Sequence, residues 1–344
     1  MKSLKIVLAA VLYYTGMFFL LNRFTGGKFI LILSFHRVVN SAEQAKTSPT
    51  LPCLTASTFE SLIRYLAATR EVIGLDQWVK QDRMIDGVVL TFDDGWEDNY
   101  LYAFPVLNKY KFPATIYLVT NLIGTSETLW QVKLFSLFSR LKPEDLDSLE
   151  SPDLKERIQR LLRTGLNSAD FSQLTVHLKL KSSREIFAML SRLDRGEKNP
   201  HLPLFLNWEQ VQEMQKHNLS FGSHTSSHII LTVEDQHTVQ KELEKSKEVL
   251  EKKLGCSIRH FAYPNGRHNS EIRDLVKQAG YLSAVTIHED INTRHTDIYQ
   301  LSRIEIEEGK VTGRNGRFSK HLFELETCWL YLKMRNLIRG RRAY

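Results

Sequence analysis

VVLTFDDGWEDN, from Val88 to Asn99, is the stretch on which the reading of this chain turns. An apolar run ends abruptly in two adjacent carboxylates, Asp93 and Asp94, followed by Gly95. Its length and flanks suit a buried strand that stops at a turn. Successive side chains at a strand end point in different directions. Neighbouring acids at a sheet's carboxyl edge can therefore do different work, one holding a cation and the other handling a proton. On these residues alone a plain Asp-Asp-Gly turn is an equal alternative.

The same rhythm extends outward in both directions. FILILSF (Phe29–Phe35) reads as another buried strand, and Thr58–Thr69 places Phe59, Leu62, Ile63 and Leu66 on one helical side. Further strands are expected at Ala114–Val119, Leu219–Phe221, His260–Ala262 and Ala284–Ile287. Helices over Tyr100–Tyr110, Trp208–Lys216, Val239–Lys253 and Glu271–Ala279 alternate with them. This alternation argues an α/β fold with a mainly parallel sheet, closed as a barrel or left open. From about Gly124 to Pro203 the rhythm stops, and Asp153–Arg163 and Ser183–Leu193 read as amphipathic helices. That segment is a helical insertion, either a substrate wall beside the active edge or a structural cap.

With 344 residues, 42% of them hydrophobic and 25% charged, the chain has the composition of a folded globular protein. Its net charge of +7 is uneven, because Arg314–Arg342 is rich in Arg and Lys and only Glu324 and Glu326 oppose them. Leu322, Phe323, Leu325, Trp329, Leu330, Leu332 and Leu337 recur there at roughly helical spacing. The segment is a basic amphipathic helix at a membrane surface, or a helix packed on the catalytic domain with a solvated basic end. No nucleic-acid motif accompanies the charge, so no nucleic-acid partner is expected. Cys53, Cys256 and Cys328 are odd in number and far apart, which gives no disulfide framework. At the other end, Lys2 and Lys5 precede the apolar run Ile6–Leu21. That run barely reaches the roughly 17–25 residues of a bilayer span. The absence of an Ala-x-Ala pattern after it favours a retained signal anchor over a cleaved leader, with an in-plane amphipathic helix or a core helix as the alternatives. The flanking charges give a slight vote for a cytoplasmic N-terminus and hence a catalytic domain outside the cytoplasm.

Two more motifs bear on chemistry. In FGSHTSSH, His224 and His228 stand four residues apart directly after a short strand. Such spacing lets two imidazoles share one divalent cation. With Asp94 they form a His-His-carboxylate set that leaves coordination positions open, as a catalytic metal requires. The third motif, RHFAYPNGRHN (Arg259–Asn269), is an apolar strand turning through Pro264 and Gly266.

TFDDG, the His-Thr-x-x-His form at His224–His228 and FAYPNG, in this order, resemble the polysaccharide deacetylases of carbohydrate esterase family 4, which share the NodB homology domain. The likeness covers about Phe29–Ile306, interrupted by the insertion. It implies a distorted (β/α) barrel of about seven strands and metal-dependent removal of N-acetyl groups from N-acetylated sugars. Carried over residue by residue, Asp93 becomes the general base, and Asp94, His224 and His228 become the metal ligands. Zinc is the first expectation for such a donor set, and cobalt, nickel or iron would tolerate it. A bound divalent metal acidifies water and polarises the acetamide carbonyl while Asp93 takes the water's proton, with backbone N–H groups around Gly95 as further donors to the oxyanion.

The chain also departs from the family pattern. The third motif is commonly FRPPYG, and Ala262 here stands where its Arg would orient the site. No Leu-x-His follows downstream. His36, in a SFHRV string that resembles the YHxV start of the poly-N-acetylglucosamine deacetylase branch, and His288 are the two candidates for the general acid. Trp96, Tyr263 and Pro264 are expected to bind substrate, the aromatics by stacking on a sugar, with core packing as the equal alternative for the two aromatics. Arg303 is expected to pair with a site carboxylate, or else with Glu305 or Glu307 at the surface. The plan is an anchor or amphipathic helix over 1–27, a NodB-like domain over 28–310 with the insertion at about 124–203, and a basic amphipathic tail over 311–344. The expected partners are N-acetylhexosamine units of a cell-surface polysaccharide or a lipid-linked glycan, and a membrane surface. The alternatives are a non-sugar amide at the same site and an inactive carbohydrate-binding homologue.

Overall fold

The first strand, β1 (Ile30–Phe35), is buried at every position, as a central strand covered on both faces by packing must be. The computed structural model describes residues 2–23, 27–41 and 51–340, apart from 82, 84, 166, 195 and 197–203. In it β1 is followed by a small separate parallel pair, β2 (Arg37–Val39) and β3 (Cys53–Thr55). Then come β4 (Gly87–Phe92), β5 (Ala114–Leu118), β6 (Leu219–Ser223), β7 (His260–Ala262), β8 (Ser283–Val285) and β9 (Ile304–Glu305). Seven strands make one sheet in the order β8-β7-β6-β5-β4-β1-β9, and each neighbouring pair is parallel. An isolated parallel bridge from Val285 to Leu301, just before β9, narrows the seam between the two ends. This is the expected distorted (β/α) barrel of seven strands.

Side-chain alternation divides the sheet into an inside and an outside. Ile30, Ile32, Val89, Tyr117, Ala262 and Val285 fill the interior. Leu31, Leu33, Leu90, Phe92 and Ile116 belong to the larger core that the helices cover. The helix Ala56–Thr69 buries Phe59, Leu62, Ile63 and Leu66, and the Thr55 side chain caps it by accepting from Thr58 N. One glycine is demanded by the interior: a Cβ on Gly222 would lie 2.5 Å from Tyr117 Cδ1 and 2.7 Å from the His260 carbonyl oxygen. Only a bare backbone lets the Tyr117 ring cross β6.

Register places the chemistry. Phe35 pairs with Phe92, and Ser223 pairs with both Leu118 and Phe261. The next residues, His36, Asp93, His224 and Ala262, therefore emerge together at the carboxyl edge, where parallel sheets bind ligands.

Between β5 and β6 the described residues of the insertion fold as four α-helices, Trp130–Phe138, Pro152–Thr164, Ser168–Leu178 and Ser183–Leu193, with a short 3-10 helix at Pro143–Ser148. The side chains of Ser151, Asn167 and Ser182 cap the last three α-helices. The helices carry their own core around Trp130, Leu134, Ile158, Phe171 and Leu190. Residues 197–203, at the end of the expected insertion, lie outside the described residues.

The terminal segments pack on each other. Gly16, at φ +71°, divides the apolar run Ile6–Leu21 into the helices Lys2–Tyr14 and Met17–Arg23. No described helix is long and apolar enough to cross a membrane. Ala9 and Phe18 pack against Leu322, Leu325 and Cys328, from the region of the helix Lys320–Thr327. The helix Trp329–Gly340 follows. Glu326, only 1% exposed, pairs with Lys5 and, at 2.6 Å, with Arg335. The described part of the basic segment is thus docked on the body of the protein, while residues 341–344 lie outside the described residues.

Candidate active site

Asp93 and Asp94 leave β4 on a turn in which Asp94 has φ +74° and Gly95 φ +86°. A Cβ on Gly95 would meet Leu118 Cδ2 at 2.6 Å, so glycine is required by space as well as by φ. Thr225, His228 and Asn265, in the turns after β6 and β7, are also left-handed. Each such residue costs about 1–3 kcal/mol. The strain is concentrated where the side chains converge.

Asp94, His224 and His228 are all buried, and one donor atom from each lies within 4.8 Å of the others. His224 Nε2 is 3.6 Å and His228 Nε2 is 3.5 Å from Asp94 Oδ1. His224 Nδ1 faces the Ala262 carbonyl at 2.7 Å. Against a carbonyl that nitrogen must donate, which leaves Nε2 as the free lone pair. Burial, opposed by Asp94 and reinforced by His224 and Lys179, pushes His228 down to about 3, so its imidazole is neutral at ordinary pH. Asp94 Oδ1 is buried and has no hydrogen-bond partner, although its other oxygen accepts from Trp96 Nε1 at 2.9 Å. An orphaned carboxylate oxygen between two ligand-ready imidazoles fits a divalent cation and little else, because leaving it bare in a dry site is costly.

Asp93 stands beside this set in a different environment. Arg303 grips it bidentately, Nη1 to Oδ1 at 2.6 Å and Nη2 to Oδ2 at 2.7 Å, and Arg303 Nε donates to the Thr286 carbonyl at 2.9 Å. Burial raises the Asp93 carboxyl. The charge of Arg303, helped by His224 and His36, outweighs that and holds it below the usual carboxylate range. Of the two expected arrangements for Arg303, the site carboxylate is the observed one. The orienting charge missing at Ala262 is supplied from 41 residues further along the chain.

His36 reaches the same place from β1, its Nε2 lying 3.8 Å from Asp93 Oδ2. His288 does not. Its side chain is exposed, and its backbone is engaged through N–H donation to Thr286 Oγ1 and acceptance from Arg303 N. The preceding Ile287 is the residue of that loop that lines the cleft. Adjacent residues on an extended segment face opposite ways, so the histidine is turned out.

Of the two readings of the aromatics, core packing is the observed one, and the expected contact at Pro264 is corrected. Trp96 is fully buried, stacked on Phe205 at a centroid distance of 4.2 Å and covered by Arg37. It presents no face to a sugar and instead orients Asp94. Pro264 is buried at the start of the turn Pro264–Gly266 and does not line the cleft, whereas its neighbour Asn265 does. Tyr263 backs the cleft wall but is itself fully buried, its ring stacked on His268 at 4.7 Å and its hydroxyl donated to the Tyr299 carbonyl at 3.1 Å. The Gly95 N–H, expected as an oxyanion donor, is spent on the Asp93 carbonyl at 3.0 Å.

The cleft around these groups holds about 390 Å³. Its opposite wall comes from the insertion, through Gln131, Ser172, Thr175, Val176 and Lys179, so the insertion borders the site. Burial, and secondarily the charge of Arg267, push the Lys179 ammonium down. Gln131 Oε1 and Asn265 Nδ2 are buried without partners, an acceptor and a donor that a polar ligand can satisfy. No sequence signal singled out Gln131 or Lys179, because neither belongs to a motif.

Comparison with known proteins agrees with this architecture. The family model described as polysaccharide deacetylase matches residues 80–284. Poly-beta-1,6-N-acetyl-D-glucosamine N-deacetylase of Staphylococcus aureus (strain MRSA252) is 24% identical over 220 residues, which cover 64% of this chain and 54% of that relative. The chain spans about half the length of the curated relatives it matches. Among solved structures, Streptococcus pyogenes deacetylase PplD in complex with acetate has a TM-score of 0.54 at 20% identity, covering 82% of this chain and 93% of that one. IcaB from Ammonifex degensii has a TM-score of 0.53 at 16% identity, covering 89% and 98%. At these identities the structural likeness shows a shared fold. The match of the family model across more than half of the chain places this protein in the polysaccharide deacetylase family.

Proposed function

We propose that this chain is a metal-dependent deacetylase that hydrolyses N-acetyl groups on N-acetylhexosamine units of a cell-surface polysaccharide or its lipid-linked precursor. The observation that carries the reading is the buried Asp94, His224 and His228 set beside a second carboxylate, Asp93, held by Arg303. Those three residues would hold the divalent cation, zinc first by donor type, and it would supply an acidified water and a polarised acetamide carbonyl. Asp93, ionised and fixed in orientation by Arg303, accepts the proton of the attacking water. His36 delivers a proton to the departing amine from the same side of the cleft. Gln131 and Asn265 offer the polar contacts that position the sugar. The name of the Staphylococcus aureus relative supports a hexosamine polymer as the substrate class. The reading extends to a membrane-associated protein whose catalytic domain lies outside the cytoplasm.

Acetate release from N-acetylglucosamine oligomers tests this. It is expected to stop on treatment with a chelator and to return with added zinc. Folded protein that releases no acetate with zinc, cobalt, nickel or iron would overturn the assignment.

His36→Gln is expected to lower kcat on these oligomers by about 10²- to 10⁴-fold. Hydrolysis of an activated aryl acetate, whose leaving group needs no proton, should fall far less. Equal losses on both substrates would mean that His36 only shapes the cleft.

A further inference from the structure

The outward sides of the two terminal helices carry the densest exposed apolar surface of the described residues. On Lys2–Tyr14, Leu4 is 75% exposed, and Val7, Leu8 and Val11 are each at least half exposed. Their spacing of three, four and seven residues forms one stripe, facing away from Ala9, which is buried among Leu322 and Leu325. On Trp329–Gly340, Met334, Leu337 and Ile338 form a second exposed stripe. The helices are neighbours, since Lys5 Nζ lies 5.5 Å over the Tyr331 ring. Contiguous apolar patches are rarely left uncovered on a soluble monomer.

Charge beside the patch indicates what covers it. Lys320 Nζ sits 6.0 Å over the ring of Tyr14, which is 72% exposed and extends the stripe three residues beyond Val11. With Arg64, Arg317 and His321 it lines a cleft of about 880 Å³ that contains no acidic residue. Among the described residues Arg64, Arg317 and Lys320 form no ion pair, whereas Lys333 and Arg335 on the last helix are already matched by Asp290 and Glu326. Unmatched cations beside an apolar stripe have the composition of a surface that lies in the lipid headgroup region.

We infer that the outward stripes of Lys2–Tyr14 and Trp329–Gly340 together form an in-plane docking face for an anionic phospholipid bilayer, with lipid phosphates received in the cleft of Arg64, Arg317 and Lys320. The face deepens the membrane association proposed above and does not depend on the reaction. No residue lining the catalytic cleft belongs to either helix.

The test is sedimentation of the full chain with vesicles of phosphatidylcholine, with and without phosphatidylglycerol. Partitioning is expected to be about tenfold or more stronger on the anionic vesicles, and to fall by about tenfold or more in Leu8→Asp/Val11→Asp and in Met334→Asp/Leu337→Asp. Arg317→Glu/Lys320→Glu should abolish the preference for phosphatidylglycerol while keeping residual binding. These positions are exposed, and retained acetate release from soluble oligomers confirms folding; if wild type releases none, circular dichroism serves instead and the docking result stands alone. Vesicle binding that is equal in wild type and Leu8→Asp/Val11→Asp would overturn the inference. So would a soluble dimer that Leu8→Asp converts to monomer without any vesicle binding, which would assign the face to a second copy. Resistance of the cell-expressed chain to alkaline carbonate extraction would overturn it in favour of a spanning anchor.

Discussion

Arg303→Met is expected to destabilise the folded protein by about 3–5 kcal/mol, because removing one partner of a buried ion pair strands the other. Arg303 is 1% exposed and Asp93 2% exposed, so water cannot take over the lost hydrogen bonds. Methionine roughly preserves the length of the apolar stem and removes the guanidinium, which also stands 5.8 Å over the Tyr117 ring, so the charge is the variable. Arg303→Lys keeps the charge but loses the planar fork, and should recover only part of the stability. The dependence on pH distinguishes pairing from packing. In the wild type the Asp93 carboxyl is held below its unfolded value of about 3.9. Its contribution is therefore complete above about pH 4 and is lost as pH falls through the folded value. In the methionine variant burial acts unopposed by Arg303 and raises that carboxyl, so acidification should stabilise rather than destabilise at this site. Urea midpoints across pH measure both effects; equal midpoints for wild type and variant at neutral pH would refute the role assigned to the pair.

Asp93→Asn is expected to reduce kcat by about 10²- to 10⁴-fold, the range for loss of a positioned base, while zinc affinity stays near that of the wild type. Asparagine keeps the size of the side chain but cannot take a proton, and its amide turns one N–H toward the donors of Arg303. Some stability is lost for that reason. Rates and calorimetric zinc binding must therefore be compared on protein whose near-ultraviolet circular dichroism is native. Turnover within about tenfold of the wild type would remove Asp93 from the proton-transfer role. Loss of zinc binding in the same variant would place Asp93 among the ligands instead.

Particular residues show why some of this was legible in the linear chain. ILILSF, buried at all six positions, and GVVLTF, buried from Val88 to Phe92, have the composition that announces parallel strands wherever they sit. Two of the insertion helices, near Asp153–Arg163 and Ser183–Leu193, announce themselves by amphipathic spacing, whereas Trp130–Phe138 and Ser168–Leu178 carried no signal that was read. Strand ends were less legible. The expected Ala284–Ile287 stops at Val285 because Thr286 donates its backbone N–H to the Leu301 carbonyl, and Ile287 then turns to the cleft. β2 and β3, with three residues each, are too short to carry a period.

The site divides in the same way. Asp93, Asp94, His224 and His228 could be picked out because strand-end carboxylates and a His-x3-His turn are local patterns with chemical meaning. Arg303 could not be assigned, because its partner is 210 residues away and two nearer glutamates competed for it. Trp96 stayed undecided between sugar stacking and core packing for a related reason: its distance in sequence from Asp94 says nothing of Phe205, which covers it.

By itself the sequence determined the strand and helix rhythm, the mainly parallel α/β class and the residue types able to ligate a metal, because periodicity, propensity and donor chemistry are properties of short segments; the count of seven strands came from the family likeness, since the two-residue β9 carries no period of its own. Only the tertiary structure decided that Arg303 replaces the orienting charge absent at Ala262, that His36 and not His288 reaches Asp93, and that the insertion walls the cleft. Those outcomes depend on which strands become neighbours and in what register, and thus on contacts between residues far apart in the chain.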